Sequence, residues 1–224
     1  MKKFNLLLSP LLMVSVLIFL GCASSPELSE DFIVTGNEPP PEECEIGHRT
    51  QTPGGWGAPA AGNNPGTIRD TYFDGAFPNG LKVGCGGDKH FSIRLMSASA
   101  VENFLPSGGK PAVLDEDYVD PDSEDVKNSL ASHVVALTLS NHFDHFIEDF
   151  GEAGFLLCDL VACSGDFEGK SVQEVLEIAN LVLGGCTTSY TVDQAYEAIS
   201  SINENFVDGE QDNGFLCCAD LETI

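Results

Sequence analysis

The sequence SVQEVLEIANLVLGGCTTSYTVDQAYEAISSINENF, which occupies residues 171–206, carries the two strongest helix signals in the chain. Each signal begins with a capping box, Ser171 to Glu174 in the first and Thr191 to Gln194 in the second. Apolar residues then recur at helical spacing in both segments, and a Gly-Gly pair ends the first one. The pattern predicts two helices that pack as an antiparallel hairpin.

The part of the chain that precedes this hairpin mixes strand and helix signals. Leu81–Val83 and Phe91–Leu95 alternate in the manner of strands on either side of a glycine turn. Ser97 caps a short helix that ends near Phe104. A longer helix is expected from about Ser123, although Val134–Leu139 could also extend as a strand. The sequence therefore predicts an α+β fold: a small glycine-rich β-hairpin region followed by a mainly helical part with a C-terminal helical hairpin.

Composition limits the class of protein. The 224 residues include 35 Asp and Glu but 10 Lys and Arg, which gives a formal net charge of −25. Such a charge excludes nucleic acid as a natural partner, because cationic side chains supply most of that affinity. A hydrophobic content of 42%, with 14 Phe, is too high for a disordered acidic chain. We expect a folded, acidic domain.

The first residues have the features of an export leader. Lys2 and Lys3 precede an apolar run that is too short for a comfortable membrane span, and Phe19-Leu20-Gly21-Cys22 resembles a bacterial lipobox. We expect Cys22 to be lipidated and to become the mature N-terminus. The alternative is an ordinary signal peptide that is cut near Ala23.

The leader hypothesis divides the chain into three parts. Residues 1–21 form a lipoprotein signal peptide, residues 22–43 a lipidated, acidic, proline-rich tether, and residues 44–224 a single surface domain. The expected location is the outer membrane or cell surface, with contact to the membrane through the lipid anchor only, because the acidic domain itself does not favour anionic lipid. Acyl chains contribute about 0.8 kcal/mol per buried methylene, so a multiply acylated Cys22 would hold the protein on a bilayer.

Several motifs between residues 44 and 218 resemble an uncharacterised domain that recurs in secreted and cell-surface proteins of Bacteroidetes-type bacteria. These motifs are the string from Arg49 to Gly66, Phe77-Pro78-Asn79-Gly80-Leu81, Phe104 to Gly108, Leu137 to Ser140, Phe143-Asp144, Gly185-Cys186 and Ser201 to Phe206. The resemblance implies a surface or adhesion setting, and it implies no chemistry.

The cysteine count predicts disulfides. Of eight cysteines, seven remain once Cys22 is assigned to lipid, and an exported protein meets oxidising conditions. We expect Cys186 to pair with Cys217 or Cys218. The last eleven residues before Cys217 can span about 36 Å, which is enough to bring the tail back to the start of the second helix.

The remaining cysteines give two further expectations. Cys44 and Cys85 flank the glycine-rich segment that has the least core to hold it, so we expect them to pair with each other. Cys158, Cys163 and the unused member of the last two cysteines would then supply one more disulfide and one free thiol.

Two sets of side chains could bind a metal. His142, Asp144 and His145 offer two imidazoles and a carboxylate, although two surface histidines at a helix end are the simpler interpretation. The segment 115–125 has seven acids in eleven residues, a density of hard oxygen ligands that suits Ca²⁺. The candidate ligands there are Asp115, Asp117, Asp120 and Asp122. The EF-hand order is absent, so we expect a solvated loop that binds Ca²⁺ weakly at most, and no other cofactor.

The segment from Gly165 to Ser171 resembles a phosphate loop only superficially. Three residues separate its glycines where a Walker loop has four, and Asp166 and Glu168 would repel phosphate. We interpret Ser171 as a helix cap and expect no nucleotide partner.

Two classes of function remain compatible with the sequence. The favoured one is a lipid-anchored, non-catalytic binding or structural module of the cell surface, with a glycan or a surface protein as its partner. The alternative is a secreted metal-dependent hydrolase that uses His142, Asp144 and His145. A third metal ligand beside these histidines, inside a concave pocket, would distinguish the two.

Overall fold

A computed structural model describes residues 47–187 and 189–218. Over these residues the chain is an α+β domain, as predicted, with six α-helices and five short strands in two small sheets. The signal peptide, the tether, Cys22 and Cys44 lie outside the described residues. None of the described helices combines the length and the apolar character that crossing a bilayer requires.

The elements follow one another along the chain with short connections. The helices are α1 (Pro53–Trp56), α2 (Pro65–Ala76), α3 (Ala98–Phe104), α4 (Ser129–Phe146), α5 (Val172–Leu183) and α6 (Val192–Asn205). The strands are β1 (Leu81–Gly87), β2 (His90–Leu95), β3 (Tyr118–Val119), β4 (Val161–Ala162) and β5 (Leu216–Cys217). A short 3₁₀ helix, Leu157–Asp159, precedes β4.

The two predicted capping boxes are both formed. The Ser171 hydroxyl accepts a hydrogen bond from the Glu174 N–H, and the Glu174 carboxylate accepts one from the Ser171 N–H. Thr191 and Gln194 make the same reciprocal pair at the start of α6. Each cap satisfies backbone donors that a helix start leaves without partners. Helices α5 and α6 pack against each other, which confirms the predicted helical C-terminal part.

The predicted β-hairpin is also present. Strands β1 and β2 pair antiparallel, with Leu81 opposite Leu95 and Val83 opposite Ile93, and these four side chains are buried. The alternation of buried and exposed side chains along β1 places one face of the hairpin on the core. Strand β3 extends the sheet by pairing parallel with β2.

Helix α4 lies at the centre of the domain. Its successive residues from Val134 to Leu137 are all fully buried, so other elements cover the helix on every side. It packs against α1, α2, α5, α6 and β1. The helix begins at Ser129 with Asn128 as its cap, later than expected, because the Asp122 carboxylate accepts from the Glu124 and Asp125 N–H groups and folds a turn there.

The C-terminal end of α5 is joined to the β-hairpin. The carbonyls of Leu183 and Gly184 accept from the Leu114 and Phe91 N–H groups, at 2.8 and 3.1 Å. Glycine at 184 is required by this close approach, because a Cβ there would lie 2.7 Å from the Phe91 carbonyl oxygen. Asn180 Oδ1 accepts from the Gly84 N–H of β1, at 2.8 Å.

The disulfides differ from the predicted pairs. Cys186 pairs with Cys85, because the end of α5 meets β1 rather than the C-terminal tail. The predicted bridges from Cys186 to Cys217 or Cys218, and from Cys44 to Cys85, are therefore wrong. Cys217 pairs instead with Cys163, since β5 lies beside β4 and residue 161 faces residue 217.

The prediction of one free thiol is also wrong for the described residues. None of those between residues 47 and 218 is a free thiol, so the one expected among Cys158, Cys163 and the last two cysteines is not found. The sequence correctly placed Cys85, Cys186 and Cys217 in disulfides and assigned their partners wrongly.

Candidate functional site

A buried arginine positions the glycine-rich turn that contains the only tryptophan. Arg69, on α2, has no exposed side-chain surface and donates to the carbonyls of Trp56, at 2.6 Å, and Ala58, at 3.2 Å. Its guanidinium also pairs with Glu102 of α3 and with Asp70. Buried carbonyls that have no backbone N–H partner need such donors.

A hydroxyl on the central helix holds the same segment from the other side. Ser140 Oγ of α4 accepts from Trp56 Nε1 at 3.1 Å and from the Gln51 N–H at 3.3 Å. Thr50 forms a bridge with Val207, and its N–H donates to the Phe206 carbonyl. These contacts fix the backbone that carries Arg49.

Next to Arg49 lies a cleft of about 380 Å³, which we call the Tyr72–Phe146 cleft. Tyr72 projects from α2 and Phe146 from the end of α4, and they are 39% and 48% exposed. These values are high for large apolar side chains. The full lining is Arg49, Ile68, Tyr72, Phe146, Ile147, Glu148, Asp149 and Phe150.

The cleft combines apolar faces with side chains of both signs of charge. The Arg49 guanidinium lies 5.6 Å from the centre of the buried Phe150 ring, and Phe150 stacks on Trp56 with ring centres 6.2 Å apart. Arg49 Nη2 is 3.4 Å from Asp208 Oδ1, whereas its Nε has no hydrogen-bond partner in the protein. Glu148 and Asp149 add two exposed carboxylates. Hydrogen-bond donors and acceptors therefore surround an apolar floor.

The predicted ligand set at the end of α4 is used for packing. His142 Nε2 lies 2.8 Å from the Ala76 carbonyl and its ring packs on Phe77, with centres 4.4 Å apart. Burial lowers the pKa of this imidazole. Asp144 accepts from the Leu157 N–H at 2.7 Å, and burial raises the pKa of its carboxyl group.

His145 is exposed on the same helix. His142, Asp144 and His145 do not bring three ligand atoms within 4.8 Å of one another. The contacts of His142 and Asp144 join α4 to α2 and to the 3₁₀ helix. Of the two histidines expected at the surface, His142 is therefore half-buried and His145 is exposed.

The acidic side chains of the segment before α4 are exposed, as expected of a solvated loop, and two of them also tie the segment to the sheet. Asp117 Oδ1 accepts from the Ser92 N–H at 2.7 Å and from its hydroxyl, and Asp120 Oδ1 accepts from the Met96 N–H at 2.6 Å. These three bonds fasten the segment around β3 to β2 and to Met96, the residue that follows it. The candidate Ca²⁺ ligands are thereby directed at backbone and side-chain donors.

The two outer members of this acidic set have local partners. Asp115 accepts from the Tyr118 hydroxyl at 2.8 Å, which raises the pKa of that phenol, and Asp122 makes the turn described above. Asp115, Asp117, Asp120 and Asp122 do not form a compact group of ligand atoms. The sequence predicted the acidic density but gave no sign of these partners.

One compact group of potential metal ligands does occur in the described ranges. It consists of Cys85, His90 and Cys186, whose ligand atoms all lie within 4.8 Å of one another, and all three residues are partly exposed. Nothing in the sequence marks His90 as a candidate ligand, because no local pattern relates residues 85 and 90 to residue 186.

The segment that resembled a phosphate loop leads into α5, with Ser171 as the cap. Gly165, Asp166 and Phe167 line a hollow of about 240 Å³ together with residues of α6 that include Glu197. Two carboxylates in so small a space disfavour an anionic ligand.

No protein-family model matches the sequence, and neither a curated protein nor a solved structure is significantly similar to it.

Proposed function

We propose that the protein is a lipid-anchored, non-catalytic binding module of the bacterial cell surface, and that it binds a neutral saccharide in the Tyr72–Phe146 cleft. The observation that supports this function is the pair of half-exposed aromatic rings, set among hydrogen-bonding side chains of both signs of charge. Ligand sites are commonly concave and apolar with a few polar groups that fix orientation.

The aromatic rings match one face of a sugar. A pyranose carries C–H groups on its faces, and these pack against the electron-rich face of an aromatic ring. Tyr72 and Phe146 leave such surface in water, which is costly unless a partner covers it. Both rings project from helix surfaces, so their positions do not depend on a long loop.

The polar groups match the edge of a sugar. Each sugar hydroxyl both donates and accepts, and the cleft offers the partly exposed guanidinium of Arg49 beside two exposed carboxylates. A strongly anionic ligand would meet Glu148 and Asp149, and a strongly cationic one would meet Arg49. The cleft volume of about 380 Å³ suits a small ligand or a terminal unit of a longer chain.

The surface location rests on the leader and the tether. The lipobox-like sequence ends in Cys22, and the acidic, proline-rich residues that follow favour an extended tether. Replacement of Cys22 by Ala is expected to move the protein from the membrane fraction to the soluble fraction of the envelope. Immunoblotting of the two fractions measures this, and unchanged fractionation would refute the anchor.

A glycan array tests the ligand class. The protein is expected to bind neutral saccharides, and Tyr72→Ala and Phe146→Ala should each weaken the affinity for the strongest ligand by about tenfold or more, since each removes a stacking face. Met96→Ala is the matched control, because Met96 is 44% exposed and lies outside the cleft. Its affinity should equal that of the parent.

Three outcomes would contradict the proposal. The first is an array without neutral ligands, and the second is binding that both aromatic variants leave unchanged. The third is capture of a surface protein through the same rings, in the absence of any glycan.

A further inference from the structure

The Cys85–Cys186 disulfide has an imidazole beside it. The ligand nitrogen of His90 and the two sulfurs lie within 4.8 Å of one another, and His90 Nδ1 is a buried nitrogen without a hydrogen-bond partner in the protein. Each of the three residues is partly exposed. Two cysteine sulfurs and one imidazole are the donor set that Zn²⁺ prefers, with a fourth position open to water.

Contacts other than the disulfide hold the two cysteines in place. On the β-hairpin side, the Gly84 N–H donates to the Asn180 side chain and the Phe91 N–H donates to the Gly184 carbonyl. On the helix side, the Cys186 N–H donates to the Leu181 carbonyl at 2.8 Å. Because these bonds remain when the S–S bond is broken, the two thiols are expected to stay close to each other and to His90.

We propose that Cys85, Cys186 and His90 form a redox-gated Zn²⁺ site, closed while the disulfide is intact and formed when it is reduced. A dithiol reductant transfers two electrons to the S–S bond and is itself oxidised to a disulfide, which leaves thiols on Cys85 and Cys186. Zn²⁺ then binds both sulfurs as thiolates, with release of two protons to solvent, and His90 supplies the third ligand. The metal takes over the link between the β-hairpin and α5.

The Cys163–Cys217 disulfide offers an internal comparison. Cys163 and Cys217 join β4 to β5, and no imidazole or carboxylate among the described residues completes a group of three ligands with them. Reduction of this pair yields two thiols with no imidazole of the described residues close enough to bind the same ion. The difference between the two disulfides is therefore His90, which makes the proposal independent of the saccharide cleft.

Zn²⁺ titration against a chromophoric chelator tests the proposal. The full protein is compared before and after reduction with a phosphine, with excess reductant removed under nitrogen. We expect the reduced protein to bind one Zn²⁺ at least about 100-fold more tightly than the oxidised protein, and His90→Ala to weaken that binding by at least about tenfold. Cys163→Ser/Cys217→Ser is the matched control and should retain the tight site.

A spectrum distinguishes this site from other thiols that reduction releases. Co²⁺ in place of Zn²⁺ should give the absorption of a tetrahedral complex with thiolate ligands, and His90→Ala should change its shape. His90→Ala keeps both cysteines, so it forms the same disulfide and its fold can be checked in the oxidised state. Equal affinity in the oxidised and reduced protein, or identical titrations and spectra for His90→Ala and the parent, would overturn the proposal.

Discussion

The glycine-rich segment of residues 50–66 and the α5–α6 hairpin belong to one domain but are held by different interactions. The hairpin depends on side chains that are close in sequence, namely two capping boxes and the apolar faces behind them. The segment contains one helix of four residues and depends on partners far along the chain, such as Arg69 and Ser140. Local signals define the first region, and buried polar contacts define the second.

The two regions also differ in what they contribute to the candidate site. Phe150 lines the Tyr72–Phe146 cleft and stacks on Trp56 of the segment, and Arg49 precedes the segment directly. The hairpin contributes no residue to that cleft. The region that carries the candidate site is thus the one held by long-range polar contacts, as is common where a rigid scaffold positions irregular backbone.

The largest expected effect comes from Arg69. Arg69→Met removes the donors to Trp56 and Ala58 and leaves their carbonyls and the Glu102 carboxylate unpaired, so we expect a loss of about 3 kcal/mol in the free energy of unfolding. Urea unfolding measures this loss. Because Trp56 is the only tryptophan, its fluorescence should change at lower urea than the far-UV circular dichroism of the helices.

Arg94→Met is the control for Arg69→Met, because Arg94 is exposed on β2. It should change the free energy of unfolding by less than about 0.5 kcal/mol. If Arg69→Met were equally mild, the buried arginine would not hold the segment.

The capping boxes are expected to have an intermediate effect. Ser171→Ala and Thr191→Ala each remove the acceptor for a backbone N–H at a helix start, which should cost about 1 kcal/mol. Here the fluorescence and circular dichroism transitions should shift together, since the hairpin packs on the central helix. Ser171→Asp keeps an acceptor at the cap and should restore most of the loss. A loss with Asp as large as with Ala would show that the missing acceptor is not the cause of the loss.

The smallest effect concerns pH and His133 of α4. Burial lowers the pKa of His133 below its ordinary value of 6.5, and Asn203 Nδ2, 3.3 Å away, donates to its Nδ1. The unfolded chain therefore binds a proton more readily, so stability is full above about pH 6.5 and falls as pH drops through the folded pKa. Between about pH 7.5 and pH 5, the Tm of His133→Gln should fall by less than the Tm of the parent.

His145→Gln is the control for His133→Gln, since His145 is exposed on the same helix. The Tm of this variant should depend on pH as the parent's does. A parent-like fall for His133→Gln would place the pH-sensitive group elsewhere.

Much of the fold could be predicted because its signals are local. The caps at Ser97, Ser171 and Thr191 and the alternation in the β-hairpin each occupy a few consecutive residues, and all are found as predicted. The sequence predicts the start of α4 too early, because the Asp122 carboxylate binds backbone N–H groups near the predicted start.

The cysteine partners and the candidate site depend on which elements meet. Cys186 pairs with Cys85 because α5 ends against β1. The two cysteines are 101 positions apart in the sequence, so no local pattern connects them. Tyr72 and Phe146 look like ordinary helix residues in the sequence, and only the packing of α2 against α4 brings them to one cleft. Arg69 likewise sits in a polar stretch with no pattern that marks it as buried.

The most direct test of the saccharide cleft is a two-dimensional NMR titration of the protein with its best neutral ligand from the array. The signals of Arg49, Tyr72, Phe146 and Phe150 should shift in proportion to saturation, while those of α5 and α6 should stay in place. Shifts confined to the hollow between Asp166 and Glu197, or spread over the hairpin with none at the four cleft residues, would contradict the assignment of the site.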